Sequence, residues 1–169
     1  DPTRVLFTPS FAPRSEYAAA LARDVWVTVD STYPLEEWPE LFKGRQIVLR
    51  VDPGYGLGHH EKVRTGGREA KFGLPAEALP EFMAAARAAD ARITVLHAHV
   101  GSGILDVGHW PQVYAQLVNI ADRIGTVSAI DVGGGIGVSY EPGGDRFDVA
   151  AFGRAMAEIK AAWPQYALW

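Results

Sequence analysis

Three short segments hold residue types whose spacing could do chemistry, and each closes a run of aliphatic and β-branched residues. His97-Ala98-His99-Val100-Gly101-Ser102-Gly103 sets two imidazoles two residues apart, which a strand of period two places on one side. The Gly-Ser-Gly behind them lets backbone approach a ligand closely. Three accounts are open: an imidazole face covering a planar cofactor while Ser102 donates a hydrogen bond to a phosphate; a zinc site, as paired histidines form at strand ends in some hydrolases; or hydrogen-bonded histidines that bind nothing. Asp131-Val132-Gly133-Gly134-Gly135-Ile136-Gly137 frees its backbone to present N–H groups, an anion nest suited to phosphate. It lacks the lysine and hydroxyl of a P-loop, and contiguous glycines do not match the dinucleotide fingerprint, so a plain tight turn is the competing account. Leu49-Arg50-Val51-Asp52-Pro53-Gly54 places a fixed cation, Arg50, in a barrel mouth or in a salt bridge. The loop that follows, from Asp52 to Leu74, is long enough to be functional or disordered, and His59 and His60 within it are expected at the surface.

Residues of this kind need elements that bring strand ends together. Val5 to Thr8, Val25 to Val29, Gln46 to Val51, Ile93 to Ala98 and Val127 to Val132 read as strands, and Ala167-Leu168-Trp169 begins a sixth. Helical spacing runs over Ser15 to Arg23 with Ser15 as cap, Pro34 to Leu41, Pro75 to Ala89, His109 to Ile124, and Phe147 to Trp163 before Pro164. This β-then-α alternation argues for an α/β fold with parallel strands, several of them apolar on both faces. A doubly wound sheet and part of a barrel both fit, and in both the function sits on loops after the strand C-termini. A whole barrel takes about 250 residues, so five strand-helix units make a partial (β/α)8 TIM barrel.

Composition narrows the function classes. The chain has 169 residues, 48% of them hydrophobic, and a formal net charge of -4. Its lysines and arginines are scattered, so no footprint for nucleic acid or an anionic membrane is visible, and small-molecule chemistry is favoured. Without cysteine there are no disulfides and no thiolate metal sites, which fits a cytoplasmic protein. No apolar run approaches the ~20 residues of a membrane helix. Asp1 at the start and Ala167-Leu168-Trp169 at the end give the chain the look of a piece cut at both ends.

Taken together, VLFTPSFAPRSEYAAAL, VTVDSTYPLEEWPELF, VLRVDPGYGLGHHEKVRTGGREAKFGL, HAHVGSG and DVGGGIGVSYEPGG resemble successive segments of the diaminopimelate decarboxylase family, across essentially the whole chain. HxHxGSG, KFG and GGG in this order are more specific than any one alone, and the pattern is shared with ornithine and arginine decarboxylases. Several segments look most like the decarboxylase half of bifunctional proteins with an aspartate kinase upstream. The resemblance implies a barrel binding pyridoxal 5'-phosphate, release of CO₂ from the D-centre of meso-diaminopimelate, and L-lysine as product. It assigns His99 to stacking on the pyridine ring, Ser102 and the turn Gly133, Gly134 and Gly135 to the phosphate, and Arg50 to the active site; Lys71-Phe72-Gly73 is a mainly structural motif. No metal ligand is assigned. The lysine that carries the cofactor in this family lies in a segment like YAxKAN, which nothing here matches, and the EPGR motif is also unmatched; Glu141-Pro142-Gly143-Gly144 is a loop, not that motif. Residues 1-169 are therefore expected to be a central fragment of the barrel domain, inactive alone, from a homodimeric parent, with its sheet edges inviting self-association. An ornithine- or arginine-type decarboxylase using the same cofactor, a metal-dependent hydrolase using His97 and His99, and a cofactor-free interaction domain are the alternatives.

Overall fold

The computed structural model describes residues 1–53 and 72–169. The described chain alternates strand and helix: β1 (Leu6–Phe7), α1 (Arg14–Leu21), β2 (Trp26–Val29), α2 (Tyr33–Glu37), α3 (Pro39–Phe42), β3 (Gln46–Asp52), β4 (Leu74–Pro75), α4 (Leu79–Ala88), β5 (Arg92–His97), α5 (His109–Ile124), β6 (Ala129–Asp131), α6 (Val149–Ala162) and β7 (Ala167–Leu168). The strands form one all-parallel sheet in the order β1-β2-β3-β5-β6-β7, with β4 paired to β3 off that path. Sequential order without reversal, helices between parallel strands and no switch point is the wall of a (β/α)8 barrel rather than a doubly wound sheet.

The two faces of the wall carry different residues. Ile47, Leu49 and Val51 of β3, Leu96 of β5 and Ile130 of β6 join Phe42, Phe82, Tyr114 and Leu117 from the helices in one large cluster. Val48, Val95 and Ala129 form a second, small cluster with Leu6 and Trp26 on the opposite, inner face. The alternation is interrupted once: the β3–β5 register shifts between Ile47 and Val48, so Ile47 pairs with Ile93 but Val48 with Val95. Thr94 is the extra residue. This bulge moves Val95 and His97 to the inner face, whereas strict alternation from Ile93 would have sent both into the helix-facing core.

Helix α5 follows its expected span from His109 to Ile124: Trp110, Val113, Tyr114, Leu117, Val118, Ala121 and Ile124 recur at helical spacing and are buried, and Gly125 at φ +75° ends the helix in the left-handed conformation. Other boundaries differ from the expectation. Ser15 lies inside α1, which Pro13 precedes without a side-chain cap. The single helix expected over Pro34 to Leu41 breaks at Trp38, whose φ of -135° and ψ of 49° are non-helical, because Pro39 disfavours helical geometry in the residue before it. The helix expected from Pro75 opens with a 3-10 turn over Ala76–Ala78. Helix α6 begins at Val149, capped by the Asp148 carboxylate, which accepts a hydrogen bond from Ala151 N at 2.8 Å. No helix among the described residues is long and apolar enough to cross a membrane.

Leu96 is fully buried on the helix-facing side of the central strand β5. Leu96→Ala is expected to lower stability by about 2–5 kcal/mol, read as a shift in the urea midpoint at unchanged slope; an unmoved midpoint would show that this face does not hold the sheet.

Candidate functional site

The inner face changes character at the C-terminal ends of the strands. Two residues beyond Val48, Val95 and Ala129 come Arg50, His97 and Asp131, and the register pairs Arg50 with His97 and His97 with Asp131. On β2 the pairing of Val29 with Leu49 carries Asp30 to the level of Arg50. Four neighbouring strands thus end in one polar row: Asp30, Arg50, His97, Asp131. His97 is buried and its Nδ1 stands 3.0 Å from Asp131 Oδ2, close enough for an ion pair though not aligned as a hydrogen bond. Asp131 Oδ1 accepts a hydrogen bond from Gly133 N at 2.8 Å, which ties the row to the turn behind it. The Arg50 guanidinium lies over the Phe72 ring, 5.1 Å from its centroid. Burial pulls its pKa down, against the pull of Asp30 in the other direction.

His99 follows β5 and is half-buried. Burial lowers its pKa first, the positive charges of Arg50 and His97 lower it further, and Asp131 opposes them. Its ring is therefore held uncharged at neutral pH. The glycine turn packs directly on this segment. Gly133 has φ +70°, and a Cβ there would stand 2.5 Å from Ala98 O and 3.1 Å from His99 Nδ1; at Gly135, φ +98°, it would collide with Gly101 O. Only glycine fits either position. The segments are also bonded to each other, by Ala98 N to Asp131 O at 3.0 Å, Ile104 N to Gly135 O at 2.9 Å and Gly137 N to Ile104 O at 2.8 Å. Gly134 differs, with nothing within 4 Å of where a Cβ would be. The amides of Gly134 and Gly135 donate to no protein acceptor among the described residues, and Ser102 is exposed in the facing loop. Free amides on a turn braced from one side and open on the other suit an anion.

The structure thus gathers Arg50, His99, Ser102, Gly133, Gly134 and Gly135 at one end of the sheet. Sequence reasoning passed over Asp30 and the partner role of Asp131; the signal was their position at strand ends, Asp30 directly after Val29 and Asp131 as the last residue of β6. It also passed over His109, which is buried at the start of α5 with no hydrogen-bond partner for its Nδ1 among the described residues. Burial lowers the pKa of His109 despite the opposing pull of Asp106, and the neighbouring His99 adds a smaller push in the same direction as burial. Lys71, His59 and His60 lie outside the described residues. Phe72 and Gly73 fit the structural reading of the KFG motif: Phe72 supports Arg50, and Gly73, at φ +90°, leaves no room for a Cβ against Val51 and Asp52. Among the described residues no three His, Cys, Asp or Glu side chains converge as a metal site, so the zinc alternative has no third donor there.

Comparison with known proteins matches this geometry to a family. The model of the pyridoxal binding domain of pyridoxal-dependent decarboxylases matches residues 1–167. The diaminopimelate decarboxylase of Methanothermobacter thermautotrophicus is 35% identical over 158 residues, covering 90% of this chain and 37% of the relative. That of Streptomyces coelicolor is 32% identical over 149 residues, covering 88% and 34%. The structure of diaminopimelate decarboxylase from Helicobacter pylori complexed with L-lysine superposes with a TM-score of 0.81 at 26% identity over 99% of this chain and 44% of that one. The arginine decarboxylase of Paramecium bursaria Chlorella virus, at 20% identity and a TM-score of 0.71, shares the fold. The chain spans less than half the length of each of these relatives. With the family model running from Asp1 to Ala167 and the same parallel wall in the solved relatives, the chain belongs to the pyridoxal binding domain family of the pyridoxal-dependent decarboxylases.

Proposed function

We propose that this chain is the part of a diaminopimelate decarboxylase that seats pyridoxal 5'-phosphate, and that the longer protein converts meso-diaminopimelate to L-lysine. The observation that carries the reading is the glycine turn: Gly133 packs against His99, Gly135 against Gly101 and Ser102, and the amides of Gly134 and Gly135 donate to no acceptor among the described residues. In the proposal Gly133, Gly134, Gly135 and Ser102 hold the phosphate, where backbone N–H groups and a hydroxyl offer several donors to one anion. His99 lays an uncharged ring against the pyridine. Arg50, held over Phe72, places a fixed positive charge at the mouth. When bound, the cofactor supplies the electron sink for the bond that loses CO₂. The chain's own residues orient it and set the charge around it. The relatives' lysine segment has no counterpart in this sequence, so decarboxylation is assigned to the longer protein and residues 1-169 to a central portion of its barrel domain. CO₂ release from these residues alone would overturn that division.

Three outcomes test the reading. The chain should retain pyridoxal 5'-phosphate through gel filtration with its tryptophan fluorescence quenched, and Ser102→Ala and Gly135→Ala should each weaken binding about tenfold or more, the worth of a hydrogen bond to a charged group; unchanged affinity in both would remove the turn from the site. In an NMR titration the unliganded His99 imidazole should have its midpoint below the ordinary 6.5, and Arg50→Met should move it up by removing a neighbouring positive charge. A midpoint at or above 6.5 would contradict the uncharged ring. Because this pKa is depressed, the contribution to stability is whole above about 6.5 and is lost as pH falls below it, where the unfolded chain takes the proton more readily. The longer protein, given pyridoxal 5'-phosphate and meso-diaminopimelate with ornithine and arginine as controls, should release CO₂ and L-lysine, with His99→Ala losing most of the activity; product from ornithine or arginine in preference would reassign the substrate.

A further inference from the structure

Asp131 engages both of its carboxylate oxygens behind the glycine turn. Oδ1 accepts the hydrogen bond from Gly133 N at 2.8 Å, and Oδ2 stands 3.0 Å from Nδ1 of His97, which is buried on the neighbouring strand. Two lone pairs at that separation would repel, so Nδ1 carries a hydrogen and Nε2 is left to take or lose the second proton. The backbone holds the pair in place. His97 and Asp131 are register partners, Ala98 N donates to Asp131 O at 3.0 Å, and a Cβ at Gly133 would come within 2.5 Å of Ala98 O, so the strand ends and the turn pack as one piece. This leaves an electrostatic conflict. A carboxylate bonded to the first amide of the turn repels an anion held by the next two, and partly buried charges are weakly screened. An offsetting positive charge resolves it. The other charged or titratable groups on the inner face, among the described residues, are Asp30, Arg50, Asp52 and His99. Arg50 is drawn over Phe72 and attracted by Asp30, and the His99 ring is held uncharged. His97 is in contact with the carboxylate, and a second proton on it makes the contact a full ion pair.

We propose that His97 is the proton-bearing partner of the glycine turn: with its second proton it offsets Asp131, and an anion at Gly134 and Gly135 then binds more tightly. Resting on the phosphate reading of the turn, this couples uptake of the cofactor's phosphate to protonation of one imidazole. By linkage, each raises the affinity for the other by the same factor. The probe is sulfate, which stays a dianion throughout the titration range of histidine. Its binding is followed at the Gly134 and Gly135 amides by NMR, while the imidazole signals report each histidine separately. Sulfate affinity should rise about threefold or more as pH falls through the His97 midpoint, and saturating sulfate should move that midpoint up by about half a unit or more. His97→Asn keeps an N–H for Asp131 but cannot titrate, so the step at that pH should vanish. Asp131→Asn removes the neighbouring negative charge and should carry the His97 midpoint and the step down together. Wild type alone decides the sign, so the proposal can fail whether or not either variant folds. Flat affinity through the His97 midpoint, a step at the same pH in His97→Asn, or a step that follows only the His99 midpoint would overturn it. No saturable sulfate binding at any pH overturns it as well, and retention of pyridoxal 5'-phosphate, measured apart with Ser102→Ala, decides whether the reading of the turn falls with it.

Discussion

Everything at the site depends on the register of four parallel strands. Because successive side chains alternate between faces, a slip of one residue in β3 or β5 would turn Leu49 or Leu96 toward the inner face and drive Arg50 or His97 into the helix-facing core. Those aliphatic residues are fully buried against α4 and α5, and the cost of exposing several of them, at about 1.5–3 kcal/mol each, exceeds what any single ion pair on the other face could recover. The greasy side of the wall therefore fixes the charged side. Asp30, Arg50, His97 and Asp131 stand side by side as a consequence of packing they take no part in.

The bulge at Thr94 is the local device that makes this work on β5. Ile93 is needed in the outer core opposite Ile47, and His97 is needed on the inner face opposite Arg50, four residues later. Strict alternation would give both the same side. One extra residue changes the parity between them, and its backbone is not wasted, since Thr94 O accepts hydrogen bonds from both the amide and the hydroxyl of Ser128 before β6.

The charges then organise two neighbouring spaces. On one side of Arg50, the uncharged ring of His99 and the open amides beyond Gly133 form a donor-rich corner. On the other, Asp30 stands in a cleft walled by Tyr17, Tyr33, Trp38 and Phe72. Arg50 separates them: its charge lowers the pKa of His99 on one side and is attracted by Asp30 on the other, and Phe72 holds it between the two.

The sequence by itself determined the elements and the turn. The spacing from Trp110 to Ile124 makes an amphipathic helix, and Gly125 stops it; three glycines after Val132 make a turn; the β-then-α order with two-sided apolar strands argues for a parallel sheet. HAHVGSG and DVGGGIG were legible because their chemistry is local, residues and spacing in one stretch. What only the tertiary structure decided was non-local: that Asp30 stands beside Arg50, that His97 belongs to Asp131 while His99 faces the glycines, that a bulge re-aims β5, and that Trp38, freed from the helix by Pro39, walls a cleft with residues from three loops. No periodicity encodes such partners, because they arise from the register between strands, which is set by packing over the whole wall.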